Sequence, residues 1–358
     1  METTERAEFE ALYGKYLTWK SSQSNQTSGY EYERSFASFC KEFNKSLFEL
    51  SVETETDGQK KVITRYGELE VPPGHCMAPV GKKGFRVSEH LQELACYVGQ
   101  QMSFDQASEN LKVVVGISLT DKQVERICHH HGGCLEQVLY EEKREVVAKD
   151  EELTYAMMDG SMCLIHQQGW KEVKLGRVFK ARDLLDIKER GTVRQSEYVA
   201  HLGSHTDFLD KFDPLVTDKT NVVAIADGAR WIGDFWDTHH PNAVQILDYF
   251  HAVEKIGCWA RLAIKKQQNA KDWMGRQEKY LLDGDVEEII NALEDFAGDT
   301  FIKEKQQLLT YLRNNTHRMR YKTFQEKGYL IGSGPIEAAN KQVIQARLKK
   351  SGQRWAVV

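Results

Sequence analysis

The stretch VVAIADGARWIGDFWDTHHPNAVQILD, residues 222–248, decides the fold. It begins with five consecutive apolar residues, 222–226, and this run ends at Asp227. A continuous apolar run is typical of a central parallel strand that is covered on both faces. A second strand is predicted at 243–247, and it ends at Asp248. We therefore predict a mixed α/β sheet that contains both strands.

The sequence on either side of this stretch extends the prediction. Before it, strands are predicted at 153–158, 171–180 and 197–202, and a helix is predicted at 206–216. After it, residues 252–328 have an almost wholly helical texture, and a final helix is predicted to begin at Pro335. Three consecutive strands, a helix, a buried strand, a helix and another strand indicate a mixed sheet.

The N-terminal part is mainly helical in texture. Helices are predicted at 4–20 and 30–50, followed by a β-hairpin over 52–71 with its turn at Asp57-Gly58. Residues 88–131 predict three short helices, with Ser88, Ser103 and Thr120 as caps and a tight turn at 116–118. A short helix, a turn with glycine and a following helix form the helix-turn-helix pattern, although a plain helical bundle fits the spacing equally well.

Bulk properties limit the class of protein. A chain of 358 residues is too long for one ordinary domain. Its 41% hydrophobic and 28% charged residues, with a mean hydropathy of −0.55, predict a soluble globular protein. No apolar run approaches the roughly 18 residues of a membrane span, and the N-terminus does not resemble a secretory signal. The seven cysteines are odd in number and include no CxxC pair, which indicates reduced thiols and a cytoplasmic location. The net charge of −5 argues against non-specific coating of nucleic acid but allows local basic surfaces.

Three carboxylates are candidates for phosphodiester chemistry. Two divalent ions about 4 Å apart can polarise a phosphate and activate the attacking hydroxyl, and Mg²⁺ prefers oxygen ligands. Asp159 and Asp227 end or interrupt apolar strands, and Glu337 opens a helix. Each also has a purely structural interpretation. Asp159 with Gly160 fits a hairpin turn, Asp227 fits a helix N-cap, and Glu337 fits the third helical position, where it favours the helix dipole.

Three ordered blocks of sequence add a resemblance to these patterns. They are MMDGSMCLI with GWKEVKLGRVF (157–179), the stretch 222–256, and IGSGPIEAANKQVIQARLKKSGQRW (331–355). Together they resemble the DDE-type insertion-sequence transposases, in particular the ISKra group. The resemblance implies an RNase H-like catalytic core with a helical insertion domain, preceded by an all-α helix-turn-helix region. It also implies that Asp159, Asp227 and Glu337 are the catalytic residues and bind two Mg²⁺ ions, which Mn²⁺ can replace.

The same resemblance assigns domains and accessory residues. It implies N-terminal helices and a hairpin at 1–80, a helix-turn-helix region at 81–149, a core at 150–251 and 329–358, and a helical insertion at 252–328. Asp248-Tyr249-Phe250-His251 resembles the C/D-x-x-H signature of Mutator-like and hAT-like transposases, which makes Asp248 and His251 accessory candidates. A hydrogen-bonded structural histidine is the alternative for His251.

Basic residues in two helices are the candidate DNA contacts, because neutralised phosphates supply most DNA affinity. They are Lys122, Gln123 and Arg126 in the third short helix, and Lys341, Arg347, Lys349, Lys350 and Arg354 in the last helix. A solvated helix face is the alternative for both sets. The implied partners are double-stranded DNA, as terminal inverted repeats and as target, and further copies of the chain, since two element ends must be paired. No membrane partner is predicted, and DNA binding would place the protein at the nucleoid.

Some features depart from the resemblance. Relatives often carry paired cysteines before the helix-turn-helix, whereas this chain has only Cys76 beside His75, and the spacing of His129–His131 with Cys128 and Cys134 matches no standard zinc site. The sequence given stops at 355–358, where relatives continue with further helix. A truncated or domesticated relative that binds DNA without cutting it is therefore one alternative. An RNase H-like nuclease unconnected with transposition is another, and a metabolic α/β enzyme finds no glycine-rich phosphate loop to support it.

Overall fold

The structure is a computed structural model that describes residues 2–23, 28–52, 58–79, 84–141, 150–185, 192–296, 301–350 and Trp355. The chain divides into two compact units, Met1–Glu141 and Glu142–Val358. Within the described ranges, no helix has the length and apolar character needed to cross a membrane. The finer domain boundaries that the sequence suggested stay predictions.

The first unit opens with two long helices and a hairpin. Helices α1 (Glu2–Ser22) and α2 (Gly29–Leu50) pack through aromatic rings, with Trp19 stacked on Phe39 at 5.1 Å between centroids. Strands β1 (Lys60–Thr64) and β2 (Gly67–Val71) follow as an antiparallel pair. Both helices and the hairpin are confirmed.

The predicted position of the hairpin turn is wrong. Asp57 lies outside the described residues, and Gly58 precedes β1. The turn is formed by residues 65–66, because Thr64 pairs with Gly67. The hydroxyl of Thr64 accepts from the backbone N–H of Tyr66 and donates to the carbonyl of Gly67. Gly67 has a φ of +127°, which residues other than glycine rarely adopt. Gly67 was therefore a better sequence signal for the position of the turn than the Asp57-Gly58 pair.

Three further helices complete the first unit, as predicted, although the third is 21 residues long rather than short. They are α3 (Glu89–Gly99), α4 (Phe104–Asn110), which continues into a π-helical turn at Leu111–Val115, and α5 (Asp121–Glu141). Ser88 and Ser103 cap the first two through their side chains, and Gly116 turns the chain with a φ of +74°. Their shared core consists of apolar residues from all three helices: Leu91, Ala95, Ala107, Leu111, Val124 and Ile127.

The second unit is built on a five-stranded mixed sheet, as predicted. Its strands are β3 (Thr154–Ile165), β4 (Gly169–Lys180), β5 (Glu197–Leu202), β6 (Val222–Ala226) and β7 (Val244–Leu247). Their spatial order is β5-β4-β3-β6-β7. Strand β4 runs antiparallel to both β3 and β5, whereas β6 runs parallel to both β3 and β7. The apolar run at 222–226 is therefore an interior parallel strand.

Strand β3 is twice as long as the sequence predicted. It continues through Asp159 and Gly160 and pairs with β4 as far as Ile165 with Gly169, so the hairpin-turn interpretation of Asp159-Gly160 is wrong. Residues 154–158 are all buried, and beyond Gly160 the strand alternates between buried and exposed positions. The strand is therefore covered on both faces before Asp159 and has one solvent-exposed face after it. The continuous apolar pattern ends at Asp159, although the pairing with β4 continues.

Helices cover both faces of the sheet. On one face, α6 (His205–Phe212) and α7 (Arg230–His239) pack through aromatic side chains against Ala156, Met158, Val178 and Val199. On the other face lie α8 (Tyr249–Ala263), α9 (Gln267–Asp283), α10 (Val286–Glu294), α11 (Ile302–Asn315) and α12 (Tyr321–Glu326). They share one core with Tyr155, Met157, Leu175 and Ile225 of the sheet. Between 252 and 328 the described residues form no strand, so the predicted helical character is confirmed.

The last helical segment lies on the same face as this helical group. Helix α13 (Gly334–Ala339) continues through a π-helical turn, Asn340–Gln345, into α14 (Ala346–Leu348). The predicted start at Pro335 is one residue late. The helix ends at Leu348, so Lys349 and Lys350 follow the last helix rather than lie on it.

The packing of the sheet predicts that Gly176→Ala destabilises the fold. A Cβ at Gly176 in β4 would lie 2.6 Å from Cε2 of Phe212, which is fully buried in the α6 core. Overpacking of this kind costs about 1–3 kcal/mol. Gly275→Ala is the matched control, because Gly275 lies in α9 with no atom near its would-be Cβ. That change should be neutral or slightly stabilising. Urea unfolding measures both, and equal midpoints for Gly176→Ala and the unchanged protein would refute the packing argument.

Candidate functional site

Three aspartates lie at the same level across the adjacent strands β3, β6 and β7: Asp159 lies within β3, and Asp227 and Asp248 directly follow β6 and β7. Met157 pairs with Ile225 across the parallel strands β3 and β6, so Asp159 and Asp227, each two residues further on, share one register position. Ala226 pairs with Leu247, which places Asp248 beside Asp227 at the end of β7. Neighbouring strands lie about 4.8 Å apart. The pairing therefore brings together carboxylates that are far apart in sequence.

Asp159 is held by two hydrogen bonds. Its Oδ1 accepts from the backbone N–H of Gly160 at 2.7 Å, and its Oδ2 accepts from Nδ2 of Asn340 at 2.5 Å. Burial raises the pKa of the Asp159 carboxyl, and the negative charges of Asp227 and Glu172 raise it further, while the two hydrogen bonds lower it. The net pKa shift is upward, so the ionised form of Asp159 is costly in the folded protein.

Asp227 is fixed by the turn that follows β6. Its Oδ1 accepts from the backbone N–H of Ala229 at 3.0 Å, and its carbonyl accepts from the hydroxyl of Tyr311 at 3.2 Å. Gly228 has a φ of +86°, and a Cβ there would lie 2.7 Å from Leu247, so only glycine suits this turn. Helix α7 begins at Arg230 with Ala229 as its cap, and the N-cap interpretation of Asp227 is therefore wrong.

Ser333 joins Asp248 to Glu337. Its hydroxyl donates to Oδ2 of Asp248 at 2.6 Å and lies 3.4 Å from Oε1 of Glu337. Asp248 is buried, and its Oδ1 caps α8 by accepting from the N–H of Phe250 at 3.0 Å. Glu337 lies exposed in the first turn of α13, at the fourth helical position rather than the predicted third, because Ser333 is the cap. The structure thus brings Glu337 next to Asp248.

His251 stands apart from these contacts. It is half-buried in the first turn of α8, and its side chain makes no hydrogen bond with any residue of the described ranges. Of the two accessory residues that the sequence suggested, Asp248 is therefore linked to Glu337 through Ser333, whereas His251 makes no such contact.

Several residues of the site were not predicted from the sequence. Asn340 lies three residues after Glu337, and this helical spacing was a usable signal that an amide would share its face. Arg177 had no such signal, because its partners are distant in sequence. It is buried in β4, donates through Nη1 to the carbonyl of Pro335 at 2.5 Å, and donates through Nε to Ser196 at 2.9 Å. Arg177 therefore ties the start of α13 to the sheet.

The donor atoms of the site suit a hard divalent cation. Across the residues that the structure describes, no three Asp, Glu, His or Cys side chains form a group that could hold a metal ion by themselves. One further oxygen is available, because Oδ1 of the buried Asn340 has no hydrogen-bond partner among the residues that the structure describes. Carboxylate and amide oxygens are the ligands that Mg²⁺ and Mn²⁺ prefer, so Asp159, Asp227 and Asn340 fit such a cation chemically.

The histidines of α5 contact different neighbours. His129 lies against Phe104, His130 lies against Phe85, and Nε2 of His131 lies 2.9 Å from Oε1 of Gln92. Successive residues on a helix point in different directions, and these contacts follow from that geometry.

The candidate DNA contacts of α5 are already engaged within the first unit. Lys122 pairs with Glu125 at 2.7 Å, and Oε1 of Gln123 accepts from the N–H of Thr120 at 2.8 Å. The guanidinium of Arg126 lies over the ring of Phe85 at 5.8 Å. Arg126 also lines a cleft of about 1360 Å³, together with Arg65, His90 and His130. Arg126 is therefore the member of this set that lines a cleft together with a second arginine, and Glu89 lines the same cleft.

The second set of candidate DNA contacts lies around the end of the chain. Lys341 is exposed, whereas Nη1 of Arg347 donates to the backbone carbonyls of Gln342 and Val343. Lys349 and Lys350 follow the helix, and Arg354 lies outside the described residues.

No protein-family model matches the chain, and no curated protein matches it.

The raised pKa of Asp159 predicts how Asp159→Asn changes stability with pH. In the folded state Asp159 binds its proton more tightly than at the ordinary pKa of 3.8, so ionising it destabilises the unchanged protein as pH rises above that value. Asn340 still has an acceptor in the variant, which has no such titration. The variant's free energy of unfolding, minus that of the unchanged protein, should therefore increase from pH 3.8 upward and level off above the raised pKa.

Asp150→Asn provides the control of opposite sign for this experiment. A hydrogen bond from Lys180 lowers the pKa of Asp150, so its stabilising effect is lost mainly below pH 3.8. Thermal or urea unfolding in EDTA across pH 3–7 measures both differences. A difference for Asp159→Asn that does not vary with pH would contradict the proposed cost of ionising this carboxyl.

Proposed function

We propose that this protein is a DDE-type transposase, which cleaves DNA at the ends of a mobile element and joins those ends to target DNA. The observation that carries the proposal is the shared register of Asp159, within β3, and Asp227, at the carboxyl end of the adjacent parallel strand β6. Helix α13, which carries Glu337, is flanked by Ser333 and Asn340. Ser333 bonds Asp248, and Asn340 bonds Asp159. Acidic side chains gathered this way suit the binding of divalent cations that act on phosphates.

The topology supports an RNase H-like core as part of this proposal. Three antiparallel strands are followed by two strands that run parallel to the first, and the strand order β5-β4-β3-β6-β7 places β3 at the centre. Asp159 lies on that central strand and Asp227 ends its parallel neighbour. Along the chain, helices α8 to α12 lie between β7, which ends just before Asp248, and α13, which carries Glu337. A helical insertion at 252–328 accounts for this arrangement.

The residues of the site have separate roles in the proposed reaction. Asp159 and Asp227 would hold the cations, and Glu337, exposed at the start of α13, would complete the triad. Mg²⁺ ions at such a site polarise the phosphate and lower the pKa of the attacking hydroxyl. Ser333 and Arg177 act on the position of α13, Ser333 by bonding Asp248 and Arg177 by bonding Pro335. These last two are positioning residues.

The proposed partner is double-stranded DNA, and the two basic sets would serve different parts of it. The three-helix region of the first unit would act as a helix-turn-helix and read the terminal repeats. Of its candidate DNA contacts, Arg126 lines a cleft that Arg65 also lines. Lys341 and the lysines after α14 would contact phosphates beside the catalytic group, since they follow Glu337 closely along the chain. Pairing of two element ends would require at least two copies of the chain on DNA, in the cytoplasm at the nucleoid.

Asp227→Asn should abolish strand cleavage and leave DNA binding nearly unchanged. The amide keeps the size and the acceptor for the Ala229 N–H but removes the negative charge, and an amide oxygen is a poorer ligand for a hard dication. Nicking should fall by orders of magnitude. The measurement is Mg²⁺-dependent nicking of a duplex that contains an element end, with a gel shift on the same duplex. Inverted repeats in the DNA beside the gene supply the end sequence.

Asp234→Asn is the matched control for this experiment. Asp234 lies exposed in α7, where its only described ion pair is with Arg230. This variant should nick the duplex at the same rate as the unchanged protein. Equal cleavage by Asp227→Asn would remove Asp227 from the mechanism. Specific binding of the duplex without cleavage by the unchanged protein would favour a domesticated relative, and cleavage without preference for element ends would favour an unrelated nuclease.

A further inference from the structure

Asn340 occupies an unusual position at the candidate site. It begins the π-helical turn Asn340–Gln345 that interrupts the last helix, and it is only 3% exposed. Its Nδ2 donates to Oδ2 of Asp159 on the central strand, 181 residues away in sequence. Asparagine is a poor helix former, and π-helical turns occur often at functional sites. Neither the helix nor the apolar core explains an amide at this position.

The other end of the same amide has no described partner. Oδ1 of Asn340 is buried and accepts no hydrogen bond. Rotating the amide would not help, because it would set Oδ1 against the carboxylate oxygen of Asp159. Buried polar atoms in folded proteins are nearly always paired, so an unpaired oxygen next to a carboxylate indicates a ligand that is electron-poor. A divalent cation bound by Asp159 would be such a ligand for this oxygen.

We propose that Asn340 is a fourth member of the site, which orders Asp159 through Nδ2 and supplies Oδ1 as a neutral oxygen ligand to a divalent cation bound by Asp159 and Asp227. The inference rests on the proposed cation-dependent function and deepens it, because it assigns a ligand outside the Asp159, Asp227 and Glu337 triad. Glu337 is exposed and lies near Ser333 and Asp248. Asn340, by contrast, is buried and contacts Asp159 directly.

Two substitutions at Asn340 separate the role of a ligand from that of a structural amide. Asn340→Leu keeps the branching at Cγ and removes both polar atoms. Asn340→Asp keeps an oxygen at the position of Oδ1, replaces the N–H donor with a second oxygen and adds a charge next to Asp159. A cation ligand predicts that the aspartate variant binds Mn²⁺ within a few-fold of the unchanged protein, whereas the leucine variant binds it about 10–100-fold more weakly. A purely structural amide predicts that both variants weaken Mn²⁺ binding to a similar extent, because both lose the Nδ2 donor to Asp159.

The experiment is a titration of the full chain with Mn²⁺ alone, followed by the electron paramagnetic resonance signal of free Mn²⁺ and by calorimetry. Gln342→Leu is the matched control, since Gln342 lies exposed in the same π-helical turn. Its Mn²⁺ affinity should equal that of the unchanged protein. Thermal unfolding in EDTA checks that each variant folds, and Asn340→Ser replaces the leucine variant if the latter does not.

The outcomes distinguish this inference from the proposed function. Unchanged Mn²⁺ affinity in Asn340→Leu, together with weakened affinity in Asp227→Asn, overturns the role of Asn340 alone. Equal weakening by the leucine and aspartate variants also overturns it. No Mn²⁺ uptake by the unchanged protein overturns both this inference and the cation-dependent function. Retained affinity in Asn340→Asp with lost affinity in Asn340→Leu supports the assignment.

Discussion

Repulsion between the carboxylates of Asp159, Asp227 and Asp248 on adjacent strands is the constraint on which the arrangement of the second unit depends. At the roughly 5 Å spacing of neighbouring strands, two unit charges repel by about 3 kcal/mol at an effective dielectric constant of about 20. A hydrogen bond to a charged group returns about 1.5–3 kcal/mol. The donors from Gly160 and Asn340 to Asp159, from Ala229 to Asp227, and from Phe250 and Ser333 to Asp248 are therefore of the size needed to hold the group together. The upward pKa shift of Asp159 indicates that the compensation is incomplete at that residue.

The origin of these donors explains why the last helix is essential to the group. Backbone N–H groups of the turns after β6 and β7 supply some donors locally. The side-chain donors come from Ser333 and Asn340, which lie at the start and in the middle of the last helical segment. That segment is in turn fixed to the sheet by Arg177 through Pro335 and by the hydroxyl of Tyr155, which accepts from the N–H of Leu330 at 3.1 Å. Sheet and helix therefore position the acidic residues jointly.

The core supports this arrangement from both faces of the sheet. Alternate residues of β3 and β4 pack into two separate clusters, one with α6 and α7 and the other with α8 to α13. Asp159 follows the last residue of β3 that is covered on both faces, so it sits where the sheet emerges from its helical cover. An ionisable group at such a boundary is partly desolvated yet remains within reach of solvent, a setting in which pKa values shift.

The sequence alone determined the class of the fold and the positions of the aspartates along the chain. A continuous apolar run that ends at Asp227 specifies a doubly covered strand, and periodicity was enough for the helices at 252–328. The extent of β3 was not accessible in this way, because pairing with β4 continues after the apolar pattern stops. Asp159 was therefore compatible with a turn until its strand partners were known. The contacts of Asn340 with Asp159 and of Arg177 with Pro335 were decided only by tertiary structure, since a hydrogen bond between residues 181 or 158 positions apart leaves no periodic signal in the sequence.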